Sequence, residues 1–172
     1  MNMDAFSSLV IEIPGKVWGV GFEVPQAVVE KYRGKETKRV VCTINKEYTF
    51  QCALMPLGEG RYFINFNAAA RKKLKAAVGD EVSVELVPDE SKYGLPMPEA
   101  FEALLQMDED VDRIFHALTP GKQRNLLHIM GLPKSSEVRI KKAVVVAEYL
   151  KEVNGKLDFK ELNLAFKRAN QK

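Results

Sequence analysis

The feature that most limits how this chain can fold is a change of hydrophobic period across residues 88–98, PDESKYGLPMP, which hold three prolines and a glycine in 11 residues. Upstream, Val82, Val84 and Leu86 alternate with Glu81, Ser83 and Glu85. That two-residue period belongs to half-buried strands. Downstream, apolar residues recur at three- and four-residue spacing, the period of amphipathic helices. Proline removes a backbone donor and fits neither a central strand nor a helix interior. The pattern predicts an α+β chain: a small β-barrel domain over 1–88 with two short helices, a linker over 89–98, and an all-α domain of four to five helices over 99–172.

Turn and cap signals divide each part further. Strands are expected over 8–13, 17–24, 39–44, 48–55, 61–66 and 81–87, with Pro14-Gly15, Gly58-Glu59-Gly60 and Gly79-Asp80 as punctuation. In the strand over 61–66, Tyr62, Ile64 and Phe66 form the expected inward set and Arg61, Phe63 and Asn65 the outward one. Short helices are expected over 25–32, with proline in the first turn, and over 68–76, capped by Asn67. In the second part, helices are expected over 99–106 and 110–118. A third follows Thr119-Pro120 and stops at Gly131, and a fourth is capped by Ser135 and reaches Lys151. Asp158 with Glu161 three residues on resembles a capping box for a last helix.

The chain carries 26 Lys and Arg against 23 Asp and Glu, a net charge of +3, which neither demands nor excludes nucleic acid. The N-terminal MNMDAFSSLVIEI has no cationic stretch and no long apolar one, so a cytoplasmic location is expected. No segment approaches the ~20 apolar residues that span a bilayer. Cys42 and Cys52 fall on neighbouring strands as diagonal neighbours, with Cys42 opposite Phe50, and are expected to be reduced, buried small hydrophobes. No metal-ligand spacing and no cofactor motif is present.

Charge is concentrated locally. Residues 119–147 hold six cations, Lys122, Arg124, Lys134, Arg139, Lys141 and Lys142, against the single acid Glu137. On a helical wheel of the fourth helix, Arg139 and Lys142 fall within the apolar arc formed by Val138, Ala143, Val145, Val146, Ala147, Tyr149 and Leu150. A charge on such a face needs a partner, a route to water or a bound anion. Three readings follow: an internal ion pair with Asp108, Glu109, Asp110 or Asp112, snorkelling stems, or an anion site. Arg124 and His128 lie four apart on the third helix and could form the facing wall of a groove. A second cluster, Arg71, Lys72, Lys73 and Lys75, is either a solvated helix face or a set of phosphate contacts for nucleic acid. Paired carboxylates, a glycine-rich phosphate loop and a nucleophile elbow are absent from the sequence pattern, so catalysis has no support there.

Two stretches resemble known families. Val24-Pro25, Thr43-Ile44-Asn45, Leu54-Met55-Pro56 and Gly79-Asp80-Glu81-Val82 make residues 6–88 similar to a small bacterial domain of unknown function. That resemblance implies a double-split β-barrel, a fold also used by swapped-hairpin transcription regulators. Thr119-Pro120, Lys122-Gln123-Arg124 and the run from Lys134 to Lys142 make residues 96–153 similar to the helical domain called bacteriocin-protection, YdeI or OmpD-associated. The chain departs from these patterns at Val138, where the helical family often has Thr, at Lys142, where it often has Arg, and at Lys46, where the barrel hairpin often has Gly.

The resulting expectation is a non-enzymatic binding module. A cationic groove on the helical domain, built from Arg139, Lys142, Lys134, Arg124 and His128, would take an anionic small molecule or an acidic protein segment. The alternatives are nucleic-acid binding through Arg71, Lys72, Lys73 and Lys75, and a structural or docking role with no small ligand.

Overall fold

The computed structural model describes residues 3–15, 19–35 and 38–171. The chain is α+β and divides into two compact units, residues 1–90 and 91–172.

The first unit is a curled antiparallel sheet with two short helices. Its strands are β1 (Asp4–Glu12), β2 (Val20–Val24), β3 (Arg39–Ile44), β4 (Tyr48–Ala53), β5 (Met55–Gly58), β6 (Arg61–Asn65) and β7 (Glu81–Pro88), in the order β4-β3-β7-β1-β2-β6-β5. The helices are α1 (Gln26–Glu30) and α2 (Ala68–Leu74). Positions 17 and 18 of the strand expected over 17–24 lie outside the described residues. The long strand β1 divides its pairing: Asp4 to Leu9 face β7, and Val10 to Glu12 face β2. This division joins the two halves of the curl, whose core includes Val10, Phe22, Val40, Ile64, Val84 and Leu86.

The stretch expected as one strand over 48–55 is two. β4 pairs with β3 up to Ala53, and after buried Leu54 the chain crosses to pair with β6 as β5. Pro56 is tolerated there because β5 is an edge strand. Phe63, expected outward, is fully buried like its neighbour Ile64. Gly21 in β2 explains it. A Cβ at Gly21 would stand 2.6 Å from the Ile64 carbonyl oxygen and 3.1 Å from the Phe63 ring. The bare backbone thus leaves a space that Phe63 and Ile13 fill, and both faces of the sheet are dry at this point.

Cys42 is buried and Cys52 half-buried; both are free, and Cys42 pairs in register with Phe50. A hydrogen bond shared with the Cys52 thiol, and then burial, push the Cys42 thiol far above its ordinary pKa. It is a packing group rather than a nucleophile.

The second unit contains five helices among the described residues: α3 (Glu99–Met107), α4 (Glu109–Ala117), α5 (Pro120–Gly131), α6 (Ser136–Glu152) and α7 (Phe159–Asn170). Their starts follow short-range chemistry. Asp108, Thr119, Ser135 and Asp158 each accept a backbone N–H of the first turn that follows. The long helix α6 packs against α3, α4, α5 and α7. Its buried residues Ala143, Val146, Ala147 and Leu150 follow the helical period. The apolar arc is narrower than the wheel suggests, because Val138 is exposed. At the C-terminal end of α6, Tyr149 Oη accepts the Asp158 N–H at 3.1 Å and lies 3.3 Å from Glu161 Oε2. The expected capping box is therefore completed by a tyrosine from another helix rather than by Glu161 reaching back.

Candidate functional site

The stretch 91–98 runs as a strap over the helical unit. Tyr93, Leu95 and Met97 pack against its core, and the Tyr93 ring lies 6.0 Å from that of Phe115. The Tyr93 hydroxyl also meets His116, whose Nδ1 stands 2.9 Å from the Asp112 carbonyl and 3.1 Å from its carboxylate.

Between this strap and α3, α5 and α6 lies a groove of about 750 Å³. α3 contributes the small residues Ala100 and Ala103 to its lining. Leu95 and Met97 of the strap, Leu127 of α5, Leu132 just beyond its end, and Ile140 of α6 make most of the lining apolar. Three ionisable groups border it: Glu99 on the first turn of α3, His128 on α5 and Arg139 on α6.

The cations singled out in the sequence separate in space. Arg139 and His128 share the groove, while Arg124, Lys134 and Lys142 are not part of its lining. Three residues after Arg139, Lys142 turns toward α7, its Nζ 5.1 Å from the centre of the Phe166 ring. Lys134 is exposed in the α5–α6 connection and Arg124 is half-buried on α5.

Internal pairing of Arg139 with the acidic run is not what the fold adopts. Asp108 binds Lys151 at 2.9 Å, Asp110 binds Arg113 at 3.4 Å and Asp112 approaches His116 at 3.1 Å. Among the described residues no carboxylate lies within 4 Å of the Arg139 guanidinium, and Glu99, on the same groove, is not paired with it. Arg139 is half-buried and always charged. Its planar donors are available to a bidentate acceptor.

On the first unit, the second basic cluster is partly engaged by the fold. Arg71 Nε donates to the Phe66 carbonyl at 3.0 Å, and Lys73 Nζ lies 5.8 Å from the Tyr48 ring centre. Lys72 and Lys75 are exposed. Among the described residues no His, Cys, Asp and Glu group could hold a metal ion, and no helix is long and apolar enough to cross a membrane.

The strap and the small residues of α3 carry the groove, and sequence reasoning missed both. The available signals were the apolar residues Leu95 and Met97 inside an otherwise linker-like stretch, Leu132 just past the end of α5, and Ile140 off the buried face of α6.

A curled antiparallel sheet and, as a second unit, five helices among the described residues make this an α+β protein of two domains. Residues 6–86 match the model of a domain of unknown function, DUF1905, and residues 95–152 match that of the family described as Bacteriocin-protection, YdeI or OmpD-Associated. The two matches, in this order, correspond to a two-domain arrangement of unknown function. No curated protein matches it.

Proposed function

We propose that the helical unit is a binding module whose groove receives the acidic group of an anionic partner. The observation that carries this reading is the Arg139 guanidinium, half-buried beside an apolar groove with no carboxylate within 4 Å among the described residues. A half-desolvated cation gains most from an acceptor that matches its fork, and a carboxylate or phosphate does so. His128 on the opposite wall adds a donor when its ring nitrogen carries hydrogen. Lys134, Arg124 and Lys142 lie outside the lining and contribute only long-range field, which salt screens.

The test is a thermal-shift screen of the full chain against nucleotides, sugar phosphates and carboxylates at two salt concentrations. A stabilising ligand should lose its effect in Arg139→Gln while the ligand-free melting temperature stays within a few degrees of the parent. If the shift is the same in Arg139→Gln and the parent, the groove is not the anion site.

A further inference from the structure

Resting on that reading, we propose that the groove takes a single-headed amphiphile: an unbranched apolar chain ending in one carboxylate or phosphate. Four observations set this class. First, a groove of about 750 Å³ is far larger than a small inorganic anion needs, and lies in the range that buries most of a medium-sized organic ligand. Second, the lining is mainly hydrocarbon, from Leu95, Met97, Leu127, Leu132 and Ile140, and gains nothing from a sugar or a nucleotide ribose. Leu132 and Ile140 are 61% and 53% exposed, so a chain lying over them removes apolar surface from water on both partners.

Third, the fork available for a head group is single. Arg139 stands on the first turns of α6, beside Ser136, the first residue of this 17-residue helix, so the head sits near a positive helix end. Fourth, Glu99 places a negative charge at the α3 side of the same groove. A second acidic group on the ligand would meet that carboxylate at a cost, which selects one-headed over two-headed anions and fixes the direction of the chain. The tail then runs over Ala100 and Ala103, whose small side chains leave room for it.

The decisive experiment is calorimetric titration of the full chain, below micelle concentrations, with acetate, octanoate, decanoate and dodecanoate, together with decanol and decyltrimethylammonium. Affinity should rise roughly fourfold for each added methylene until the groove is full. Decanol and the cationic amphiphile should bind at least tenfold more weakly than decanoate. Arg139→Gln should erase the preference for decanoate over decanol. Ala103→Phe, a change at an exposed position that leaves the core intact, should weaken every long chain at least tenfold without altering the melting temperature.

If acetate binds as tightly as dodecanoate and depends on Arg139, the amphiphile proposal falls and the anion-binding reading stands. If no anion depends on Arg139, both fall. Chain-length dependence that survives Ala103→Phe would place the chains on another surface and overturn the proposal.

Discussion

The hydroxyl of Tyr93 lies 2.7 Å from Nε2 of His116. Because Nδ1 of that ring faces the Asp112 carbonyl and carboxylate, the neutral imidazole places its hydrogen on Nδ1 and accepts the Tyr93 proton at Nε2. His116 therefore sits beside an acid, Asp112. The chain Tyr93–His116–Asp112 fastens the strap to α4, and the strap continues into Leu95 and Met97 on the groove wall. Tyr93→Phe keeps the ring on Phe115 and removes only the hydrogen bond. It should cost about 0.5–1 kcal/mol in urea unfolding. In His116→Ala the same change should cost nothing further, which a double-mutant cycle reads directly. Each variant should also weaken whatever binds the groove, although neither residue lines it.

The pH dependence of the helical unit follows from Asp108 and Lys151. The hydrogen bond from Lys151, helped by the Val111 N–H, holds the Asp108 carboxyl below its usual range, and Asp108 in turn raises the Lys151 ammonium. A lowered carboxyl pKa contributes stability that is present above the unfolded value of about 4 and is lost as pH falls through the folded value. A raised ammonium pKa contributes stability present below about 10.4 and lost as pH rises through the folded value. Asp108→Asn keeps a side chain able to cap α4 but removes the charge. Its melting temperature should vary less with pH at both ends than that of the parent, measured by circular dichroism from pH 2 to 11.

Tyr149 is buried, and its hydroxyl serves the backbone where α6 gives way to α7. Burial, ahead of the nearby Glu161 and Asp158 charges, raises its pKa. Tyr149→Phe leaves the Asp158 N–H without its acceptor, at an expected cost of about 1–3 kcal/mol. Amide exchange should show the loss first at the start of α7. Equal protection there in parent and variant would mean that water replaces the hydroxyl fully.

Lys46 has φ of 58° and its neighbour Asn45 φ of 52° in the β3–β4 turn. A non-glycine residue pays about 1–2 kcal/mol for that left-handed backbone. Asn45 recovers part of this by accepting the Ser83 N–H at 2.9 Å. Among the described residues no side-chain hydrogen bond of Lys46 does the same. Lys46→Gly should therefore raise stability by about 0.5–1 kcal/mol after the entropy of the freer unfolded chain is subtracted. Lys46→Val should lower it, and chemical denaturation of the two variants measures both signs.

Local chemistry carried much of this fold in legible form. Asn67, Thr119, Ser135 and Asp158 cap helices where their spacing to the next apolar run places them, and the alternation in β7 matches its burial. The β3–β4 register that sets Cys42 against Phe50 follows from a three-residue turn. The break at Leu54 was not legible, because β4 and β5 share one continuous apolar run and differ only in the strand each pairs with. Phe63 was misassigned because its burial depends on the missing side chain of Gly21, on a different strand. The wheel of α6 places Arg139 and Lys142 on one arc without revealing that Lys142 meets the Phe166 ring of α7 while Arg139 borders the groove.

What the sequence determined by itself is therefore most of the elements and the caps that start the helices, since period, caps and turn residues act within a few positions along the chain. The tertiary structure decided the partners. It gave Lys142 to the Phe166 ring and Asp108 to Lys151, and it left Arg139 beside an apolar groove. Those assignments depend on distances of a few ångströms between residues far apart in sequence, which only the packing of α6 among its neighbours and of the strap on α4 can set.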